Sequence, residues 1–234
     1  MEKRDKIYEG KAKILYTTDD PNLIIQYFKD DATAFNAAKR GTIAQKGVMN
    51  NQISTKIFEF LKEEGIPTHY EKTLSDREML VKKVDIVPVE VIIRNVAAGS
   101  LCRSLGIEEG KELSCSILEF CYKEDKLNDP LINEYHIRAL GLATDEEVET
   151  IKKYTFKINE LMTRFFNSLN IDLIDFKLEF GRFEGQIILA DEISPDTCRL
   201  WESGTGRKLD KDRFRKDLGN IEEAYQEVLN RVSK

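Results

Sequence analysis

The sequence predicts a mixed fold of strands and helices, and three stretches predict it. Residues 173–181, Leu-Ile-Asp-Phe-Lys-Leu-Glu-Phe-Gly, alternate charged and apolar side chains through their second half, the period-two mark of a strand with one face in a core. Residues 87–95 are a nearly continuous β-branched run, which reads as a strand buried on both faces. Residues 144–169 carry an apolar stripe at helical spacing, opened by a Thr144–Glu147 capping box. At 234 residues, one domain or two intimate lobes can each bury a core.

In chain order, two short β-prone segments in residues 7–16 flank Gly10, predicting a hairpin with its turn at or beside Gly10-Lys11. A third strand follows at 23–28. Residues 30–47 are small and polar with no steady period, a lid or binding loop by length. Residues 48–64 read as a helix with Ile53, Ile57 and Leu61 on one side, ended by Gly65 and Pro67. Two β-rich runs follow, 79–85 and 87–95. Glu90 and Arg94 share parity in the second, and a buried strand carries both only if they are paired or used. Residues 96–101 turn into a short helix, with Gly99 and Ser100 at its start. There they make either an N-cap beside a structural Arg–Glu pair or an anion clamp with Arg94. Residues 116–126 form another β segment before a turn at 128–130, and Lys123 and Asp129 default to solvated surface. The long helix, with Val148, Ile151, Tyr154, Ile158, Leu161, Met162, Phe165 and Leu169 in its stripe, packs behind the acidic strand. Residues 187–192 complete a hairpin, 194–201 form a loop carrying Arg199, and 222–232 are a terminal amphipathic helix. No repeat, low-complexity tract or linker divides the chain.

A net charge of −6, spread along the chain, argues against a nucleic-acid binder with a basic footprint. Apolar runs are a few residues long, so no membrane span is expected, and the first residues open no apolar signal core. Cys102, Cys115, Cys121 and Cys198 have no CxxC spacing and only two histidines accompany them, so the expectation is a reduced, cytoplasmic protein without a zinc site.

The acidic strand carries the chemistry. Asp175, Lys177 and Glu179 point the same way, and the hairpin after them delivers Asp191 and Glu192. A solvated strand would more usually show Thr, Ser or Lys there, so the cluster reads as a divalent-metal and phosphate site. Glu179 and Asp191 offer hard oxygen ligands and Lys177 a mobile cation. Lys11 and Lys13 beside Gly10 either cover a polyphosphate or belong to an ordinary hairpin turn. Together these are the parts of phosphoryl transfer, whose transition state is stabilised by position and charge. Neither a Walker A pattern nor GxGxxG is present. One geometric condition follows. A two-residue turn at Glu184-Gly185 puts Glu179 and Asp191 on opposite faces of the hairpin, unless the link is odd, bulged, or Asp191 lies beyond the ladder.

Residues 89–100 (Val-Glu-Val-Ile-Ile-Arg-Asn-Val-Ala-Ala-Gly-Ser) and 173–181 resemble the two signature motifs of the SAICAR synthetase family. The Tyr-Glu-Gly-Lys-Ala-Lys opening, Asp-Glu-Ile-Ser-Pro-Asp at 191–196 and Asp-Lys-Asp-Arg-Phe-Arg at 210–215 are similar to it as well. The resemblance implies an α+β fold of two lobes around an ATP cleft, akin to ATP-grasp and protein-kinase architectures. The lobes would be an ATP-covering part at 1–86 and a substrate and metal part at 87–234. It implies ATP-dependent ligation of L-aspartate to carboxyaminoimidazole ribonucleotide (CAIR), through an acyl phosphate, in purine synthesis. Glu179 and Asp191 would hold Mg²⁺, and Glu90 a second metal near CAIR. Lys177 would neutralise the transferred phosphoryl group, and Asp175 could act as a base only in the second step, on the aspartate ammonium. Gly10, Lys11, Ala12 and Lys13 would lie over ATP, Lys82, Lys83 and Val84 would form the hinge near adenine, and Lys123 joins the nucleotide set. Arg94, Gly99, Ser100 and Arg199 would hold the CAIR phosphate. Asn36 stands where some members have Asp, and no residue is assigned to aspartate's carboxylates. Homo-oligomerisation, a dimer first, is also implied. The rival readings are a kinase-like enzyme acting on a hydroxyl, with Asp175 as its first-step base, and an ATP-binding regulator without chemistry.

Overall fold

The computed structural model describes residues 2–34 and 39–234, so the expectation at Asn36 lies outside the described residues. The chain opens with strands β1 (Lys6–Glu9), β2 (Lys13–Thr17) and β3 (Leu23–Phe28), then a hairpin of β4 (Asp31–Ala34) and β5 (Lys39–Thr42). Helix α1 (Lys46–Glu63) and strands β6 (Tyr70–Ser75) and β7 (Glu78–Lys82) follow. Next come β8 (Asp85–Val96), α2 (Ser100–Leu105), β9 (Glu112–Tyr122), β10 (Leu131–Ile132), α3 (Glu134–Ala139) and α4 (Asp145–Ser168). The last part holds β11 (Ile171–Phe183), β12 (Gln186–Ala190), β13 (Cys198–Glu202), α5 (Asp212–Arg215) and α6 (Ile221–Val232).

Among the described residues the strands form two larger antiparallel sheets and the small β4–β5 hairpin. The first runs β1-β2-β3-β7-β6; the second runs β10-β9-β8-β11-β12, with β13 also pairing to β11. The changeover falls between Lys82 and Asp85. This is the expected α+β architecture, with strands in hairpins and helices against one side of each sheet. α4 rests on β8 and β11, and its capping box forms as predicted, Glu147 N–H donating to Thr144 Oγ1 at 3.2 Å and Thr144 N–H to Glu147 Oε2 at 2.9 Å. Val148, Ile151, Ile158, Leu161 and Met162 are buried, while Tyr154, Phe165 and Leu169 close the edge of the core. α6 packs on α1, which itself lies on β3, β6 and β7, so the C-terminus completes the core of the first sheet.

Three expectations change. Residues 194–201 are a loop only up to Thr197 and then enter β13, where pairing to β11 makes a strand that no local pattern announces. Residues 30–47 are not a bare loop: they fold as β4–β5, and α1 already starts at Lys46. Their strands are short and largely polar, so no apolar alternation announces them, and Arg77 anchors their base through Asp30 at 2.7 and 2.9 Å. β8 is buried on one face and only partly on the other, where Arg94 alone is fully buried. Val87, Val89, Val91 and Ile93 are at most 2% exposed, whereas Ile86, Pro88, Glu90 and Ile92 are only partly buried. A largely apolar run with a cavity on its second side is indistinguishable in sequence from one buried twice.

The β11–β12 link is the two-residue Glu184-Gly185 turn, with Phe183 paired to Gln186 and Glu179 to Ala190. Asp191 lies just past this ladder with φ +62°. Its left-handed backbone takes it out of the strand's alternation, which satisfies the geometric condition by its third route. At Gly181, where the β8–β11 register slips, a Cβ would come within 2.5 Å of Val84 Cγ2, so only glycine lets the segment joining the sheets close over β11.

Candidate active site

A cavity of about 580 Å³ is walled by both sheets. Gly10, Lys11, Ala12 and Lys13 come from the β1–β2 turn and the start of β2, Lys82 from the end of β7, Val84 from the segment joining the sheets, and Glu90, Lys123, Lys177, Glu179 and Asp191 from the second sheet and its edge. Lys83 is not in the wall; its N–H donates to Asn22 O at 2.8 Å. Leu15, Ile24, Val81 and Ile86 give one end an apolar lining.

Facing side chains form a lattice of alternating charge. Lys177 Nζ reaches Glu179 Oε1 at 2.6 Å, Glu90 Oε1 at 2.7 Å and Asp191 Oδ2 at 3.8 Å. Lys123, expected as a solvated surface charge, is indeed exposed, but its Nζ is paired, 2.8 Å from Glu179 Oε1 and 3.8 Å from Glu90 Oε1. Lys13 pairs with Asp191 and, at 3.2 Å, with Glu192. Lys11 pairs outward with Asp125 at 2.7 Å. Burial opposes the Lys177 ammonium, but Glu179, Asp191 and Glu90 outweigh it and hold its pKa well above the ordinary lysine value. Burial and Asp191 work against ionising Glu179, yet Lys177, Lys123 and Lys13 keep its pKa low. Asp191 is likewise held low, its burial overcome by Lys13 and Lys177. Glu192, more deeply buried, is shifted upward by burial. Among the described residues no three or more His, Cys, Asp or Glu side chains are arranged as a ready metal-ligating group. Here the carboxylates are met by ammonium groups instead.

Arg94, Gly99, Ser100, Asp175 and Arg199 gather in a second corner rather than in the cavity wall, with Arg94, Asp175 and Arg199 buried, Gly99 half-buried and Ser100 exposed. Asp175 Oδ2 accepts from Arg94 Nη1 at 2.6 Å and from Arg199 Nη1 at 2.7 Å. Arg94 Nε also donates to Glu119 Oε2 at 2.9 Å, and its Nη2 to Ser100 Oγ at 2.8 Å. Arg199 Nε donates to Asp212 Oδ2 at 2.9 Å. The carboxylates that pair with Arg94 are therefore Glu119 and Asp175, not Glu90. Gly99 has φ +61°, and a Cβ there would strike the Arg199 guanidinium, so glycine permits the arginine to lie against the start of α2.

Other cavity residues carried little signal of their own. His69 is buried and pushed down to about 3 by burial, hence neutral. Lys46, at the first turn of α1, pairs with Asp196, which also accepts from Tyr225 Oη at 2.6 Å and Asn50 Nδ2 at 2.9 Å. Asp196 stands in the Asp-Glu-Ile-Ser-Pro-Asp segment already singled out. Its partners come from helices far apart in sequence, which no local pattern reveals. Lys211 and Arg215 also reach the wall.

The SAICAR synthetase family profile matches residues 6–232. A phosphoribosylaminoimidazole-succinocarboxamide synthase of Caldanaerobacter subterraneus subsp. tengcongensis is 61% identical over 234 residues, covering 100% of both chains. The crystal structure of phosphoribosylaminoimidazole-succinocarboxamide synthase from Ehrlichia chaffeensis is similar at TM-score 0.96 and 47% identity, over 98% of each chain. A SAICAR synthetase in complex with ADP matches at TM-score 0.93 and 47% identity, over 97% of each chain. With the sequence match running nearly end to end and the fold following it, the chain belongs to the SAICAR synthetase family.

Proposed function

We propose that this enzyme joins L-aspartate to the carboxylate of CAIR at the expense of ATP, giving SAICAR, ADP and phosphate in de novo purine biosynthesis. The observation that carries this reading is the lattice of Lys13, Lys123 and Lys177 with Glu90, Glu179 and Asp191 inside one cavity, in a chain of this family. A related structure holds ADP, and the apolar end of the cavity suits a nucleotide base, with Lys82 and Val84 beside it. Gly10, Lys11, Ala12 and Lys13 then cover the phosphates.

Glu179 and Asp191 fit Mg²⁺ by donor chemistry: both are hard oxygen ligands held ionised, and both face the Lys177 ammonium, so a cation between them is already favoured. Glu90 shares that ammonium and is the third candidate ligand. When bound, the ion supplies charge neutralisation at the phosphates. Lys177 follows the transferred phosphoryl group as its charge spreads. CAIR's carboxylate needs no base to attack the γ-phosphorus. The aspartate amine, an ammonium near neutral pH, must lose a proton before attacking the acyl phosphate. Two guanidinium groups compete for Asp175, which favours its holding Arg94 and Arg199 for the CAIR phosphate, with Ser100 and Gly99, over its acting as that base.

Four free cysteines suit the cytoplasm, and among the described residues no helix is long and apolar enough to cross a membrane. Homodimer formation stays part of the proposal. The test is a product assay with ATP, Mg²⁺, CAIR and L-aspartate: SAICAR and ADP are expected to accumulate together, and folded protein that forms no amide overturns the reading.

A further inference from the structure

Six lysines line the cavity: Lys11, Lys13, Lys82, Lys123, Lys177 and Lys211. Five are already neutralised by Asp125, Asp191, Glu71 or Glu179. Lys211 differs. Among the described residues its half-buried ammonium has no carboxylate within ion-pair distance and no hydrogen-bond acceptor, although its backbone is fixed, N–H donating to Pro195 O at 3.0 Å. Arg215 stands one helical turn on, its N–H donating to Lys211 O at 3.1 Å, and reaches the same wall. Arg199 lies close by, but Asp175 and Asp212 satisfy it. Leaving a cation partly desolvated and unpaired costs free energy that an arriving anion recovers. Burial, then Arg215 and Arg199, push the Lys211 ammonium down to about 8, the mark of a cation in want of an anion.

We propose that Lys211, with Arg215 beside it, is the subsite that receives an anionic group of a non-nucleotide substrate, the carboxylate of L-aspartate or the phosphate of CAIR. The identity of those substrates rests on the function proposed above; the anion subsite itself does not. No covalent step is involved: the ammonium donates charge-assisted hydrogen bonds and fixes the anion's position.

The test pairs direct binding with kinetics on the full chain. Thermal shift and calorimetric titration with L-aspartate and with inorganic phosphate, without nucleotide, are run on wild type, Lys211→Met and Lys211→Arg; Lys211→Gln replaces the methionine variant if that one fails to fold. The expected result is roughly a tenfold or greater loss of affinity for one probe in Lys211→Met, largely restored in Lys211→Arg. In the assay, KM for the matching substrate rises while KM for ATP stays at the wild-type value. Loss confined to L-aspartate assigns the carboxylate, and loss confined to phosphate, with a raised KM for CAIR, assigns the phosphate. Equal probe binding by wild type and Lys211→Met, binding of neither probe by wild type, or a rise in KM for ATP alone overturns the inference. Probe binding that depends on Lys211 in a protein that makes no SAICAR sinks the proposed function and leaves the subsite standing.

Discussion

Lys177 is surrounded by Glu90, Glu179 and Asp191, so its charge is fixed at every pH the enzyme meets. A group so placed can follow a phosphoryl group without losing its proton. Lys177→Ala should lower kcat by about 10²–10³-fold with a much smaller change in ATP affinity. Equal losses in kcat and ATP binding, measured on protein whose folding is verified, would reduce Lys177 to a ground-state contact. Asp210 gives a second expectation. It is fully buried, and burial followed by the charge of Asp212 raises it to about 7 from an ordinary 3.8. Between those values the folded chain holds a proton that the unfolded chain has released. The stability this contributes is complete below pH ~4 and declines by about 1.4 kcal/mol per pH unit as pH rises toward 7. Asp210→Asn should flatten that decline, read from denaturation midpoints across the window. Its absolute stability should fall, since Asp210 accepts from both Leu200 N–H and Asp212 N–H. At this scale the sequence shows residue types but not partners. Asp175 and Arg94 were visible as chemistry; that one carboxylate ties two arginines was not, because the three residues meet only when β8, β11 and β13 pair.

β11 and β12 show what an element adds. The alternation of β11 was legible because one face is core and the other is cavity, the situation a period of two encodes. The β4–β5 hairpin was not, since short polar strands at the cavity's mouth bury too little to leave a pattern. The turn between β11 and β12 places Glu184 at φ +49° and Gly185 at φ +76°, the geometry in which Asn-Gly is preferred. Glu184→Asn should therefore raise stability by about 0.5 kcal/mol, relieving left-handed strain without touching the cavity. Chemical denaturation would read it, and kcat should stay at the wild-type value. A loss of stability would mean that the turn relaxes differently in solution.

For the molecule as a whole, the C-terminal helix α6 ties the last residues to α1. Ala224, Tyr225, Val228, Leu229 and Val232 are buried, and Tyr225 also holds Asp196. Ending the chain before Ile221 should strip α1 of its cover and leave Lys46 and Asp196 without Tyr225. We expect loss of soluble, protease-resistant protein, because removing several large buried side chains at about 2–5 kcal/mol each exceeds ordinary stability. A truncated chain that melts like wild type would contradict this. The amphipathic pattern of α6 was plain in sequence, whereas its partner was not. Periodicity names the face a helix buries, never what it is buried against.

The paired charges in the cavity have a consequence for how binding responds to salt. Counter-ions of Lys13, Lys123 and Lys177 are side chains of the same protein, not ions drawn from solution. An incoming polyphosphate must therefore trade places with tethered carboxylates, and few mobile anions are set free in the exchange. Affinity for nucleotide should fall off only gently with ionic strength, unlike that of a groove of bare lysines.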